Sequence, residues 1–335
     1  MGKELWADGE GRVHYREAPA RAGRPGWVLV ATSFSGVSIG TERAMVAAGF
    51  RGRLGYQASG IVTEVADGGP KELLDRPVAV YGAPYTGHGE DLWVPAALVA
   101  ELPSEALLPA GAFAGLGAIS LHALRLGTLQ IGESVLVVGL GMVGQWCVRL
   151  AAAAGLRVMA VDPQPQRRDL ALAGGAEGAV GDLSDPAVAA AFRVRPDTGY
   201  DAVLLTAHST DPGLANRCLE HVADKGRFVV AGDLPLHIDR ELLFARENRL
   251  VVSRAAGPGR YDAAYEADGH DYPAAYVRWT EGRNLAAVVA LLASGRVRVS
   301  ELLGEAMDPE AALSVYDERA VPARPGALLA WDGAR

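Results

Sequence analysis

"SVLVVGLGMVGQWCVRLAAAAGLRVMAVD", residues 134–162, decides the fold. It opens with an uninterrupted apolar run, Val135 to Val138, the pattern of a strand covered on both faces. A glycine turn follows. A helical pattern then puts Val143, Cys147, Leu150 and Ala154 on one face, and a second apolar strand, Val158 to Val161, ends at Asp162. A strand, a helix and a second strand of this length form a parallel pair with a crossover helix.

The turn "GLGMVG" has the spacing of a dinucleotide-binding loop. Gly139 permits the tight turn, Gly141 lets backbone approach a pyrophosphate, and Gly144 lets the helix pack on the sheet. Leu140, Met142 and Val143 complete the expected cofactor loop, whose free N–H groups at a helix start favour an anion. Asp162 lies 162 − 144 = 18 residues beyond Gly144, near the roughly 20 expected of a ribose-binding acid. It should accept from the adenosine ribose and repel a 2′-phosphate, which favours NAD over NADP. Arg167 and Arg168 follow closely and keep NADP open. Thr206, near the end of "AVLLTA" (202–207), is a further cofactor-binding candidate.

On either side of this unit the rhythm differs. Residues 1–118 carry short apolar runs such as "WVLVATSF" (27–34), "SGIVTEV" (59–65) and "PVAVYG" (77–82), broken by Gly and Pro, and read as β-rich. "AISLHALRLG" starts a helical stretch at 118. Alternation of strands and helices continues through "RFVVAG" (227–232) to "NRLVVSRA" (248–255), an expected edge strand. "RNLAAVVALLASG" (283–295) and "DPEAALSVYDERA" read as helices, the second with Asp308 as N-cap and Glu310 and Glu318 near its ends. The expected domains are 119–257 for the nucleotide, inserted between 1–118 and 258–335.

The 335 residues carry a formal charge of −8 without any Lys/Arg run, which argues against nucleic-acid binding through phosphate neutralisation. The start of the chain has no apolar leader, no stretch reaches the length of a membrane span, and a cytoplasmic location is expected. Cys147 and Cys218 are the two cysteines, too few for a disulfide framework or a four-cysteine zinc lobe.

A β-rich front, an inserted nucleotide unit and a returning C-terminus together resemble the medium-chain dehydrogenase/reductase superfamily. "SGVSIGTER" (35–43), "LGYQASGIV" (54–62), "GHGEDLWVP" (87–95), "LGAISLHALRLG" (116–127) and "SRAAGPGRYDAAYEADGHDYPAAYVRWTEGRN" (253–284) are similar to the zinc-dehydrogenase-like half of the bi-domain oxidoreductases, and more distantly to bacteriochlorophyllide dehydrogenase. The resemblance implies an α/β fold: a Rossmann doubly wound parallel sheet inserted into a β-rich, GroES-like catalytic domain. It also implies a homodimer that extends the sheet through its edge strand.

The same resemblance shows what has changed. Catalytic zinc in the superfamily uses a Cys in the segment matching "GVSIGTE", a His-Glu pair matching Tyr56-Gln57, and a ligand near Gly115. Here Ser38 or Ile39, Tyr56, Gln57 and Gly115 stand at those places, and none is a good zinc ligand. No zinc is expected. Another group must then donate to the substrate oxygen. Tyr56 is the first candidate and His88 the second, with Ser38 and Thr41 as catalytic helpers. Tyr56 could equally pack into the space, and His88 could equally bond backbone. Gln57 and Glu42 are substrate-binding candidates, Glu42 alternatively an ion-pair partner of Arg43. Tyr272 and Arg278 suit a polyhydroxylated or anionic substrate, or a subunit interface.

These features predict an NAD(H)-dependent, zinc-independent oxidoreductase. It would move hydride between nicotinamide and a secondary alcohol or ketone of a small polar substrate, such as a sugar or cyclitol. Reduction of an activated C=C bond, nucleotide sensing without turnover, and a lyase or cyclase with a structural cofactor are the alternatives.

Overall fold

Six parallel strands build the sheet that the opening stretch requires. A computed structural model describes residues 2–19, 21–191, 199–317 and 324–331. Among these, the chain divides into two units: Ile119–Ala255, and Met1–Ala118 together with Ala256–Arg335.

In the first of these the strands lie side by side as Gly178–Val180, Arg157–Val161, Ser134–Val138, Tyr200–Leu205, Val222–Val230 and Arg249–Val252. Counted along the chain this order is 3-2-1-4-5-6, the doubly wound arrangement. Every neighbouring pair is parallel. The direction of winding reverses beside Ser134–Val138, whose carboxyl end leads into the glycine turn. That switch point is where such sheets bind ligands. Leu136, Val138, Met159, Val161, Val203 and Phe228 form the core of one face.

The helix after the turn spans Met142–Ala153 and is buried on nearly every side, Gln145, Trp146 and Arg149 included. The expected single apolar face is thus too narrow a description. Its polar members are spent internally: Gln145 Nε2 donates to Arg167 O at 2.7 Å, and Arg149 Nη1 donates to Gln145 Oε1 at 2.8 Å. "NRLVVSRA" does supply an edge strand, Arg249–Val252, with Val252 exposed.

The other unit is β-rich. Its long strand, Trp27–Val37, pairs antiparallel with Gln57–Val65, Asp91–Pro95 and Gly326–Ala330. The start and the end of the chain therefore meet in one sheet, as an inserted unit demands. Gln57–Val65 also pairs with Pro77–Tyr81, and Val28, Val30, Ala58, Val62, Val78, Val80, Leu92 and Val94 from these strands fill one core. The C-terminal helix of the sequence reading is instead a short 3₁₀ stretch, Ala311–Tyr316. Asp308 is not its N-cap: that position is Glu310, without a side-chain cap, and the Asp308 carboxylate accepts from Glu310 N–H at 2.9 Å just ahead of it, whereas Glu318 lies outside the described residues. No single helix among the described residues is long and apolar enough to cross a membrane, though one bent pair, Glu105–Gly111 with Ala114–Leu126, passes on length and composition.

Candidate active site and nucleotide loop

The nucleotide loop behaves as its three glycines suggest. Gly139 has φ +92°, the left-handed region, and a Cβ there would lie 2.6 Å from Ala207 N. A Cβ on Gly144 would lie 1.9 Å from the Gly139 carbonyl oxygen. On Gly141 it would meet nothing within 4 Å, so open space adjoins the backbone where a pyrophosphate would approach. Gly141 starts the helix without a side-chain cap, leaving the first N–H groups to a ligand.

Thr206 and Asp162 turn out to brace this loop. The Thr206 hydroxyl donates to Gly139 O at 2.6 Å, with Val138 O at 3.1 Å. Asp162 is nearly covered. Its carboxylate accepts from Leu140 N–H at 2.8 Å and from Gln164 N–H at 2.9 Å, and Arg167 Nη1 lies 3.5 Å from it. Each carboxylate oxygen can accept twice, so capacity for a ribose hydroxyl remains, behind Arg167. Arg168 Nη1 donates to Asp162 O and Pro163 O at 2.9 and 3.0 Å. Sequence reasoning missed Gln145 and Arg149, because a polar residue on a helix gives no sign that it is buried.

Tyr56, Gln57, Ser38 and Gly115, which the resemblance matches to zinc ligands, all lie in the β-rich unit. Tyr56 sits between the strands Arg51–Arg53 and Gln57–Val65, its ring edge-on to Tyr81 with centroids 6.2 Å apart. The Ser38 and Thr41 hydroxyls are the polar side chains that act on its oxygen, both favouring the ionised phenol. Ser38 leads the helix Ile39–Ala47 but does not cap it with its side chain. That hydroxyl is therefore free for Tyr56. Part of the Tyr56 surface stays open, yet the protein around its oxygen is dense. Burial pushes the phenol well above its ordinary value, and Glu42 adds to this, against the lowering by Ser38 and Thr41.

Gln57 is fully buried, and both ends of its amide are used. Nε2 donates to Gly36 O at 3.2 Å, and Oε1 accepts from Leu116 N–H at 2.9 Å. Gly115 is crowded by Tyr81 and Gln57, with no room for a larger residue. A phenol, a spent amide, a hydroxyl and a glycine do not fit a zinc ion, which takes thiolate, imidazole or carboxylate ligands. Among the described residues no group of three or more His, Cys, Asp or Glu comes together to hold a metal. Cys147 and Cys218 are buried in the other unit, where burial pushes both thiols up to about 12.

His88 and Glu42 lie beneath this site rather than on its open side. His88 is fully buried; Nδ1 is 2.8 Å from Ser35 Oγ and Nε2 is 2.9 Å from Glu42 Oε2. Glu42 also accepts from Ser38 N–H at 2.8 Å and from the Tyr316 hydroxyl at 2.9 Å. Arg43 Nε donates to Val315 O at 2.7 Å. Sequence did not reveal the pairing of His88 with Glu42, since 46 residues separate the two.

Segment 257–284 is tied largely to itself. Tyr272 donates to Asp262 and stacks on Tyr265 at 5.5 Å. Arg278 is exposed over the Trp279 ring at 5.3 Å. Arg260 pairs with Glu266, and its Nη2 donates to Ala83 O at 2.7 Å. Glu281 is fully buried, and burial beside Glu266 pushes its carboxyl up to about 8 despite Arg260.

Comparisons with known proteins agree with this architecture. Residues 142–268 match the zinc-binding dehydrogenase family. A solved structure from Sinorhizobium meliloti 1021, assigned as a zinc-binding dehydrogenase and bound to NADP, superposes with TM-score 0.79 at 21% identity, covering 99% of each chain. Galactitol-1-phosphate dehydrogenase from Escherichia coli does so with TM-score 0.79 at 19% identity, over 98% of this chain and 100% of that one. The chain has the fold of these dehydrogenases. A curated relative, L-galactonate-5-dehydrogenase of Escherichia coli (strain K12), is 40% identical over 84 residues, which is 25% of this chain and 24% of that protein.

Proposed function

We propose that this protein is an NAD(H)-dependent oxidoreductase that works without zinc, reducing a ketone on a small polar substrate or oxidising the matching secondary alcohol. The observation that carries the reading is Tyr56. Its phenol stands where the resemblance matches a zinc ligand, with the Ser38 and Thr41 hydroxyls acting on its oxygen. If those two hydroxyls donate, its own O–H is left for a substrate oxygen.

NADH, when bound, supplies hydride. The chain's residues supply the rest. The turn at Gly139–Gly144 holds the pyrophosphate, with Asp162 and Thr206 keeping the turn in shape. Tyr56 donates to the substrate oxygen as negative charge develops there, and its proton passes to that oxygen. The raised phenol suits a donor and disfavours a resting phenolate. Ser38 and Thr41 fix the direction of the phenol. His88 and Glu42 act one layer further in, as positioning residues that hold Ser38 through its N–H. Relatives named for L-galactonate and galactitol-1-phosphate support a polyhydroxylated substrate class.

Asp162 supports NADH over NADPH, since a second negative charge beside it is repelled. Protein stripped with a zinc chelator should bind NADH more tightly than NADPH by titration and reduce polyhydroxy ketones at an unchanged rate. Loss of activity that zinc restores would overturn the metal-free reading. Reduction of enones but not ketones would overturn the substrate class. We also infer a homodimer, because Arg249–Val252 leaves an open strand edge. Sedimentation should give twice the chain mass of 35.0 kDa; a monomer at micromolar concentration would refute it.

A further inference from the structure

Glu281 is the least explained buried group in the β-rich unit. It opens the helix Glu281–Ala293, is 0% exposed, and neither carboxyl oxygen has a hydrogen-bond partner. One turn on, Asn284 uses its amide nitrogen on Ala256 O at 2.7 Å, and its Oδ1 is also without a donor. Such orphans are costly, since a buried acceptor loses its water without replacement.

Glu266, Arg260, Tyr81, Tyr265 and Tyr272 are among the titratable groups that interact electrostatically with Glu281. Arg260 is the one cation among them, and its ion pair is with Glu266, not Glu281. Tyr265 donates to Thr280 Oγ1 at 2.9 Å and Tyr272 to Asp262, so neither phenol serves Glu281. Glu266 touches Glu281 side chain to side chain. Two covered carboxylates with one guanidinium between them leave a net negative charge out of water. A single proton removes it, and supplies the missing donor as well.

Glu266 has a second duty. Its Oε1 accepts from Tyr261 N–H at 3.1 Å as well as from Arg260. Tyr261 has φ +68°, a left-handed backbone that costs a non-glycine residue energy and needs such a tether. Its exposed ring lies under the Arg260 guanidinium at 4.2 Å. Arg260 and Tyr261 in turn act electrostatically on Tyr81, and Tyr261 also on Tyr56.

We propose that Glu281 and Glu266 share one proton, and that this protonated pair is the latch holding Arg260 and Tyr261 beside Tyr81 and Tyr56. The shared proton stands on the full burial of Glu281, its two unpartnered oxygens and the Arg260–Glu266 ion pair; its effect on turnover rests on the role proposed for Tyr56. Glu281 is a positioning residue in this scheme. Above the pair's titration both carboxyls ionise, repel, and loosen the 257–266 turn. The sign follows from linkage. The folded protein holds a proton on Glu281 that the unfolded chain releases near 4.5, so this contribution to stability is complete below about 4.5 and is lost as pH rises through about 8.

Infrared difference titration of the full-length protein tests the proton directly. A protonated-carboxyl carbonyl band should vanish on raising the pH through about 8 and be missing in Glu281→Gln. Hydrogen exchange of residues 257–284, corrected for intrinsic rates, should speed up at least tenfold above that pH in wild type and stay slow in Glu281→Gln, whose amide mimics the acid. The melting temperature should fall between about pH 5 and 8 more steeply in wild type than in Glu281→Gln. No such infrared band in wild type would refute the shared proton, even where the variant fails to fold. A band without the exchange change would refute the latch. Turnover of a ketone with NADH should lose its alkaline fall in Glu281→Gln. A positive infrared and exchange result with an unchanged alkaline limb would count against Tyr56, not against the pair.

Discussion

Tyr56→Phe is expected to lower kcat for ketone reduction by a factor of about 100 to 10,000, the usual worth of a positioned general acid. The substitution removes one oxygen and leaves the ring, so its edge-on packing against Tyr81 persists. NADH affinity should hardly change, because the nucleotide loop belongs to the other unit. Ser38 and Thr41 lose their shared acceptor, so Ser38→Ala and Thr41→Ala should each reproduce part of the loss. The effects should not add with Tyr56→Phe, since all three act through one oxygen. Steady-state kinetics with NADH and a ketone decide it. Near-wild-type kcat in Tyr56→Phe would reduce the phenol to a packing residue.

Gly144→Ala should be the most damaging single-methyl change in the nucleotide loop. The added carbon would sit 1.9 Å from Gly139 O and 2.8 Å from Thr206 Oγ1. The first is backbone and cannot rotate aside. Overpacking of this kind costs about 1–3 kcal/mol, sometimes more. Displacing the turn also spoils the Asp162–Leu140 brace. NADH affinity should fall by more than tenfold, with a lower melting temperature. Gly141→Ala makes the sharper contrast. Its φ of −65° suits alanine, and the added carbon meets nothing. The unliganded protein should keep its stability while NADH binding weakens, because the methyl enters the space the pyrophosphate needs. Fluorescence titration and thermal melts of the two variants separate these outcomes. Equal behaviour would mean that the loop does not bind a pyrophosphate.

Some features were legible without coordinates because they depend on neighbours in sequence. The strand, glycine turn, helix and second strand of residues 134–162 follow from local periodicity and from conformations that glycine alone adopts cheaply. So does the edge strand Arg249–Val252. The candidacy of Tyr56 came from a resemblance over a short segment. Its environment did not, since Ser38 and Thr41 reach it from a different element.

What the sequence by itself determined is the alternation that makes a parallel sheet and the glycine turn that suits a nucleotide. Tertiary structure alone decided where the polar side chains spend their hydrogen bonds. His88 read either as a proton-transfer group or as a loop histidine bonded to backbone, and folding put it out of water against the Glu42 and Ser35 side chains. Gln57 read as a substrate contact, and folding used both ends of its amide to tie backbone to backbone. Glu281 drew no reading from the sequence, and folding left it covered beside another acid. The reason is physical. Apolar periodicity is a local quantity fixed along a strand or a helix. The partner of a polar group is set by which distant segments arrive beside it.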